Sequence, residues 1–110
     1  MTPRPYRPLV ELDAALERGE LDFAVGLAAE LSQERRRPID LDLALRFLPL
    51  MALQRSDGYD AWALRWLARW ISEAPEATID RAAEVAASLA DLPEEPHGAL
   101  ASIRRSAGLA

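Results

Sequence analysis

His97 is the single histidine of the chain, and Glu94 and Glu95 stand shortly before it. An imidazole beside two carboxylates can hold a divalent cation or share a proton with a reacting group. Neighbours in sequence make a weak ligand set, however, and an exposed histidine at a helix start accounts for His97 without a metal. Two acidic pairs offer no more. Asp40 and Asp42 are two positions apart, so on a helix they point away from each other. Asp57 and Asp60 are three apart and share a face at the start of a helix, where capping and the helix dipole explain them. The zinc-protease pattern H-E-x-x-H, a Walker-type glycine loop and a G-x-S-x-G elbow are all absent. There is no cysteine, so no thiolate nucleophile, thiolate metal site or disulfide framework exists. The sequence points to no catalytic residue, no metal and no cofactor, and the expectation is a protein that is not an enzyme. A metal-dependent enzyme built on His97, Glu94 and Glu95 ranks third among the readings.

The arginines come next. Arg35, Arg36 and Arg37 close one expected helix, and Arg104 and Arg105 close another. If both helices end on one side, the two clusters make a basic patch for phosphate or for an acidic partner. Against this, no aromatic residue is interleaved with them, and no zinc spacing or recognition helix is present. Complementing the helix C-terminal dipole explains both clusters. The formal net charge of −5 is also a poor start for meeting a polyanion. Every basic residue is arginine, which fits either a coding bias or a use for planar, bidentate contacts.

The third group is aromatic. Tyr59-Asp-Ala-Trp-Ala-Leu-Arg-Trp-Leu-Ala-Arg-Trp-Ile71 holds Trp62, Trp66 and Trp70, spaced four apart. At about 100° per residue they lie along one side of a helix and drift about 40° per step. Leu64, Leu67, Ala68 and Ile71 cover much of the remainder, leaving Arg65, Arg69, Ser72 and Glu73 as a narrow polar edge. A helix apolar over most of its circumference is expected to be buried on several sides. Trp66 and Trp70 read as core. Trp62 falls nearest the Arg65 and Arg69 edge, and a tryptophan beside arginines is a usual composition for a partner-binding hot spot. Trp62, Arg65 and Arg69 are therefore the candidate partner-binding residues, with core packing the competing account of Trp62.

The elements that must place these residues are all helical. Half of the 110 residues are hydrophobic, alanine and leucine dominate, and β-branched residues are few. Residues 1–8 carry Pro3, Pro5 and Pro8 and read as an extended arm. Within it, Pro5-Tyr-Arg-Pro8 matches a P-x-x-P ligand pattern. A first helix is expected over 9–18, with Leu9, Leu12 and Leu16 inward and Gly19 as its stop. A second follows over 20–36, burying Leu21, Ala24, Val25, Ala28 and Leu31, and Pro38 ends it. A third spans 40–54, with Asp40 as its cap and a kink at Pro49. The tryptophan helix runs over 58–74, capped by Ser56 or Asp57. A fifth covers 79–92 behind Thr78, burying Ile79, Ala82, Val85, Ala86, Leu89 and Leu92. The last runs over 96–107, with Leu100, Ile103 and Ala107 inward and Gly108 as a stop.

The expected fold is all-α: five to six helices in antiparallel hairpins at 9–36, 40–74 and 78–107, as one solenoid-like or bundle-like domain over 9–110. The hairpins recur about every 35 residues, a period at which helix pairs stack. The stretch Ala15-Leu-Glu-Arg-Gly-Glu-Leu-Asp-Phe-Ala24 resembles the helix–Gly–(Asp/Glu)–Leu–x–x–Ala turn of tetratricopeptide-like α-hairpin repeats. The resemblance covers ten residues. The later hairpins do not repeat the glycine turn, and the full tetratricopeptide signature is absent. At the level of fold it implies an interaction scaffold.

No stretch approaches the roughly 18 apolar residues of a spanning helix, and no apolar run of signal-peptide type follows the charged start. A soluble cytoplasmic protein is expected. Its expected role is that of a protein–protein interaction module: an adaptor, an assembly subunit or a small regulatory or inhibitory partner, with self-association as a related form. The runner-up is a nucleic-acid-associated small subunit using Arg35, Arg36, Arg37, Arg104 and Arg105.

Overall fold

The structure, a computed structural model, describes residues 8–109. Pro3 and the Pro5, Tyr6 and Arg7 positions of the P-x-x-P pattern lie outside the described residues. Among those described, seven helical segments and no strand are present. The chain divides into two compact units, one ending at Ile39 and the other beginning at Asp40.

The first unit is a helix pair. α1 (Pro8–Glu17) opens on Pro8, whose fixed φ suits a first helical residue and whose missing N–H would have had no intrahelical partner. Gly19 ends it at φ 72°. The N–H of Gly19 bonds the carbonyl of Leu16 and that of Glu20 bonds Ala15, which satisfies two orphan carbonyls of the last turn. An ion pair between Arg18 and Glu20 spans the same turn. α2 (Leu21–Arg35) packs back on α1. It ends without glycine: Arg36 itself takes the left-handed conformation, at φ 52°. Leu12, Ala15, Leu16, Leu21, Ala24, Leu27 and Leu31 are buried. Leu9, expected to face inward on α1, is exposed; on α2 Leu27 is buried, while Val25 and Ala28, expected in the buried row, are only half-buried.

The second unit contains α3 (Leu41–Leu45), α4 (Phe47–Gln54), α5 (Ser56–Glu73), α6 (Ile79–Asp91) and α7 (Pro96–Ala107). The helix expected over 40–54 is thus two segments, and the break falls at Arg46 rather than at Pro49. Pro49 has no N–H for the carbonyl of Leu45. The chain tightens ahead of it, with the N–H of Arg46 bonding Leu43 at 3.1 Å, and restarts at Phe47. Pro49 then sits in the first turn of α4, where N–H groups need no intrahelical partner. Asp40 precedes α3 but makes no side-chain cap, and neither Ser56 nor Asp57 caps α5, which starts at Ser56 straight after Arg55. Thr78 does cap α6: its hydroxyl accepts from the N–H of Arg81 at 3.2 Å.

α5 packs on α3, α4 and α6, and α6 packs on α7. Its buried row is Tyr59, Ala63, Trp66 and Trp70. Each polar tip on that row donates to a backbone carbonyl of a different helix. Trp66 Nε1 donates to Leu41 of α3 at 2.9 Å, and Trp70 Nε1 to Ala107 of α7 at 3.0 Å. The Tyr59 hydroxyl donates to Leu89 of α6 at 2.5 Å. The last contact has a sequence cause. The carbonyl of Leu89 would take its helical bond from residue 93, which is proline and has no N–H to give. Tyr59 supplies the missing donor from another helix.

The other face of α5 differs from the sequence expectation. Leu64 is 65 % exposed and Ile71 49 % exposed, and Ala68 is exposed between them. α5 is therefore buried along one row and its flanks, not around most of its circumference. Ile79, expected in the buried stripe of α6, is 89 % exposed. It is the first residue of that helix; of the rest of the expected stripe Val85, Leu89 and Leu92 are buried, and Ala82 and Ala86 are half-buried. On α7, Leu100 is half-buried while Ala99, Ile103 and Ala107 are buried.

Burial, with a smaller contribution from Asp60, pushes the Tyr59 phenol from 10.0 up to about 12. A phenol held neutral in the fold and free to ionise when unfolded gives stability that is fully present below pH 10 and lost as pH rises toward 12. The two-unit gap corresponds to roughly 2–3 kcal/mol. With no lysine or cysteine, tyrosine dominates side-chain titration in this range. On a Tyr6→Phe background, tyrosinate absorbance should therefore reach half of its full change near pH 12, with chemical stability beginning to fall above pH 10. The proline account gives a second test. Tyr59→Phe leaves the Leu89 carbonyl buried without its donor and should lower urea-measured stability by about 1–3 kcal/mol. Adding Pro93→Ala returns an N–H at the helical position and should recover part of that loss.

Candidate functional site

Trp62 is set apart from the other aromatic residues of α5 by where the helix turns it. It lies about 40° from Trp66 and about 80° from Trp70 around the helix axis. That rotation carries Trp62 off the buried row to a half-buried position. Its ring meets Phe47 of α4 at a centroid separation of 6.2 Å and a tilt of 37°. The Arg65 guanidinium carbon stands 5.7 Å from the Trp62 ring centroid, within cation–π range. Among the described residues the indole N–H of Trp62 has no hydrogen-bond partner, and Arg65 has no carboxylate partner. The edge thus presents an aromatic surface, an indole donor and a fixed guanidinium side by side.

Arg69 is one turn further on and is differently engaged. Its Nε bonds Glu73 Oε2 at 2.5 Å, an i,i+4 pair along α5. Its charge is matched within its own helix, so of the two arginines on this edge Arg65 is the one left with a charge to offer.

The remaining candidates are dispersed. Arg35 closes α2, and Arg36 and Arg37 follow it in the first unit. Arg104 and Arg105 lie in the last turn of α7 in the second. Within that unit Arg104 Nε is 3.1 Å from Asp42 Oδ1, an ion pair that ties α7 to α3. Arg104 therefore has a structural role, while Arg105 remains exposed. His97 is exposed at the second residue of α7, and Glu94 and Glu95 are exposed before it. The Glu95 carboxylate turns back over the first turn of that helix, where a Cβ added at Gly98 would meet Glu95 Oε1 at 2.8 Å. Among the described residues no three histidine, cysteine or acidic side chains come together as a metal site. Nor is any helix there long and apolar enough to cross a membrane.

Leu64, Ala68 and Ile71, expected by sequence on a helix buried on several sides, are exposed on a different side of α5 from Trp62. The signal that separates them is the row Tyr59, Ala63, Trp66 and Trp70. Once that i, i+4, i+7, i+11 row is taken as the inward side, Leu64 and Ala68 fall opposite it.

Compared with family models, with curated proteins and with solved structures, the chain matches none.

Trp62 and Trp66 should differ in what truncation costs. Trp66→Ala empties a buried site and orphans a hydrogen bond, and should cost about 3–5 kcal/mol. Trp62→Ala removes one ring contact and one cation–π contact at a half-exposed edge, and should cost about 1 kcal/mol. Urea denaturation of the two variants measures the difference.

Proposed function

We propose that the chain is a protein–protein interaction module: a small adaptor, an assembly subunit or a regulatory or inhibitory partner, working in the cytoplasm. The observation that carries this reading is Trp62. It is the one tryptophan turned out of the core, and Arg65 stands over its ring. Tryptophan and arginine are the side chains most enriched where a few residues supply most of a binding energy. Fixing Arg65 against the indole also lowers the side-chain entropy lost on docking. The turn Ala15–Ala24, which resembles that of tetratricopeptide-like hairpins, adds support by fold analogy.

The nucleic-acid reading has less behind it. Its arginines include Arg104, already engaged by Asp42, and the chain carries a net charge of −5. An enzyme reading would have to start from His97, Glu94 and Glu95, all exposed.

The test is an affinity capture from host lysate, divided by nuclease treatment and by low- or high-salt washing. The expected result is a defined protein partner that survives nuclease and high salt and is lost on Trp62→Ala. Recovery of nucleic acid, or of partners that vanish with nuclease, would overturn the reading in favour of the arginine clusters.

A further inference from the structure

α1, α2 and α7 end on the same pair of backbone hydrogen bonds. After α1 the N–H of Gly19 bonds the carbonyl of Leu16 and that of Glu20 bonds Ala15. After α7 the N–H of Gly108 bonds Arg105 and that of Leu109 bonds Arg104. After α2 the N–H of Arg36 bonds Gln33 and that of Arg37 bonds Ser32. The motif puts one residue in the left-handed conformation, which glycine enters without a Cβ penalty. Gly19 and Gly108 hold that place at φ 72° and 75°. Arg36 holds it at φ 52°, the one non-glycine residue at positive φ among those described. An L side chain enters this region at a cost, so helix termination alone would favour glycine. Arg36 is also the middle of three consecutive arginines, all exposed. None of the three guanidinium groups has an ion-pair partner among the described residues. Opening the last turn of α2 releases the strain at Arg36. Beyond it Pro38 keeps the helix from resuming, and Asp40 is extended at φ −59° and ψ 149°.

We propose that Arg35-Arg36-Arg37 is a cleavage site for an endoprotease with acidic subsites for two successive arginines, which cuts between Arg36 and Arg37. An endoprotease takes its substrate as an extended strand, so it requires an exposed segment that is non-helical or easily opened. Carboxylates in the two subsites pair with the Arg35 and Arg36 guanidinium groups. Pro38 selects the bond. Its ring crowds the Arg37–Pro38 peptide, which leaves Arg36–Arg37 as the bond behind a complete arginine pair. Hydrolysis consumes one water and breaks the bond between the Arg36 carbonyl carbon and the Arg37 nitrogen. It leaves an Arg36 carboxylate and an Arg37 ammonium. The second unit begins at Asp40, so the fragment 37–110 keeps α3 to α7 and the three hydrogen bonds of α5. A polyanion suits these arginines less well. They stand at a helix C-terminus, the negative end of the dipole, on a chain of net charge −5.

Arg104-Arg105 is the internal control. It is the other adjacent arginine pair of the chain, lies inside the last turn of α7, and has Arg104 half-buried and paired with Asp42. The full chain is incubated under native conditions with an endoprotease specific for paired arginines, and the fragments are identified by mass. The expected first products are 1–36 and 37–110. They should appear at least about tenfold faster than any cut after Arg105, the ratio that about 1.4 kcal/mol of easier local opening gives. Arg35→Gln and Arg36→Gly should each abolish the cut. Arg36→Gly should do so without lowering the melting temperature, because glycine suits φ 52°. In the host, a C-terminally tagged chain should be recovered partly as a fragment beginning at Arg37, and the Arg36→Gly chain at full length alone. First cleavage elsewhere, equally fast cleavage after Arg105, or an unsubstituted host chain found at full length alone would each overturn the proposal. So would protection of the Arg36–Arg37 bond by added double-stranded DNA at physiological salt, which would assign the three arginines to a phosphate backbone instead.

Discussion

A buried aromatic ring with a polar tip must find an acceptor, and three of them on one helix must find three. That requirement organises the second unit. Tyr59, Trp66 and Trp70 bring large apolar area into the core of α5, and each then needs a partner for its O–H or N–H. The partners are backbone carbonyls of α6, α3 and α7. Two of those carbonyls lie near helix C-termini, where the intrahelical donors run out. Leu89 lacks its donor because residue 93 is proline, and Ala107 is the last residue of α7. Side chain and backbone thus complete each other: the aromatic tips would be orphaned without these helix ends, and the helix ends without the tips. Apolar packing alone tolerates a helix sliding or rotating by part of a turn. A row of hydrogen bonds to three other helices does not, so α5 has one register against each.

The fold class and most helix limits were legible because they rest on local signals. Gly19, Thr78, Pro96 and Gly108 each act through φ, a missing N–H or a cap, and each appears at or beside the end of a helix, whereas Pro8, read as part of an extended arm, is the first residue of α1. What failed depended on which apolar residue wins when a helix has more than one face can bury. α5 carries apolar residues on two sides, and the sequence pattern does not rank them. The donor-poor carbonyls of Leu89 on α6 and Ala107 on α7 do, because the row holding Tyr59 and Trp70 reaches them. The break at Arg46 was missed for a related reason. Proline removes a bond at one residue, but the chain relieves the clash upstream, where a tighter turn costs least.

The candidate site was half legible. A four-residue spacing drifts around a helix, and that drift alone places Trp62 at the edge beside Arg65. The different states of the arginines were not legible. Arg65 and Arg69 look equivalent in sequence, yet Glu73 pairs with one and Trp62 stands under the other. Arg104 and Arg105 look equivalent too, and only Arg104 reaches Asp42. Each distinction rests on which neighbour a long side chain meets first, and for Arg104 that neighbour is on another helix.

The two faces of α5 answer to different demands. The inner row is set by packing and by three hydrogen bonds, so its residue types follow from the fold. The outer row has no such account. Leu64 keeps about a third of its surface covered within the chain and Ile71 about half, and neither supplies any of the Tyr59, Trp66 and Trp70 hydrogen bonds. Exposed leucine and isoleucine contribute little to folding stability, since apolar area stabilises only when it leaves water. Fold stability therefore accounts for the inner row far better than for Leu64, which stays 65 % exposed.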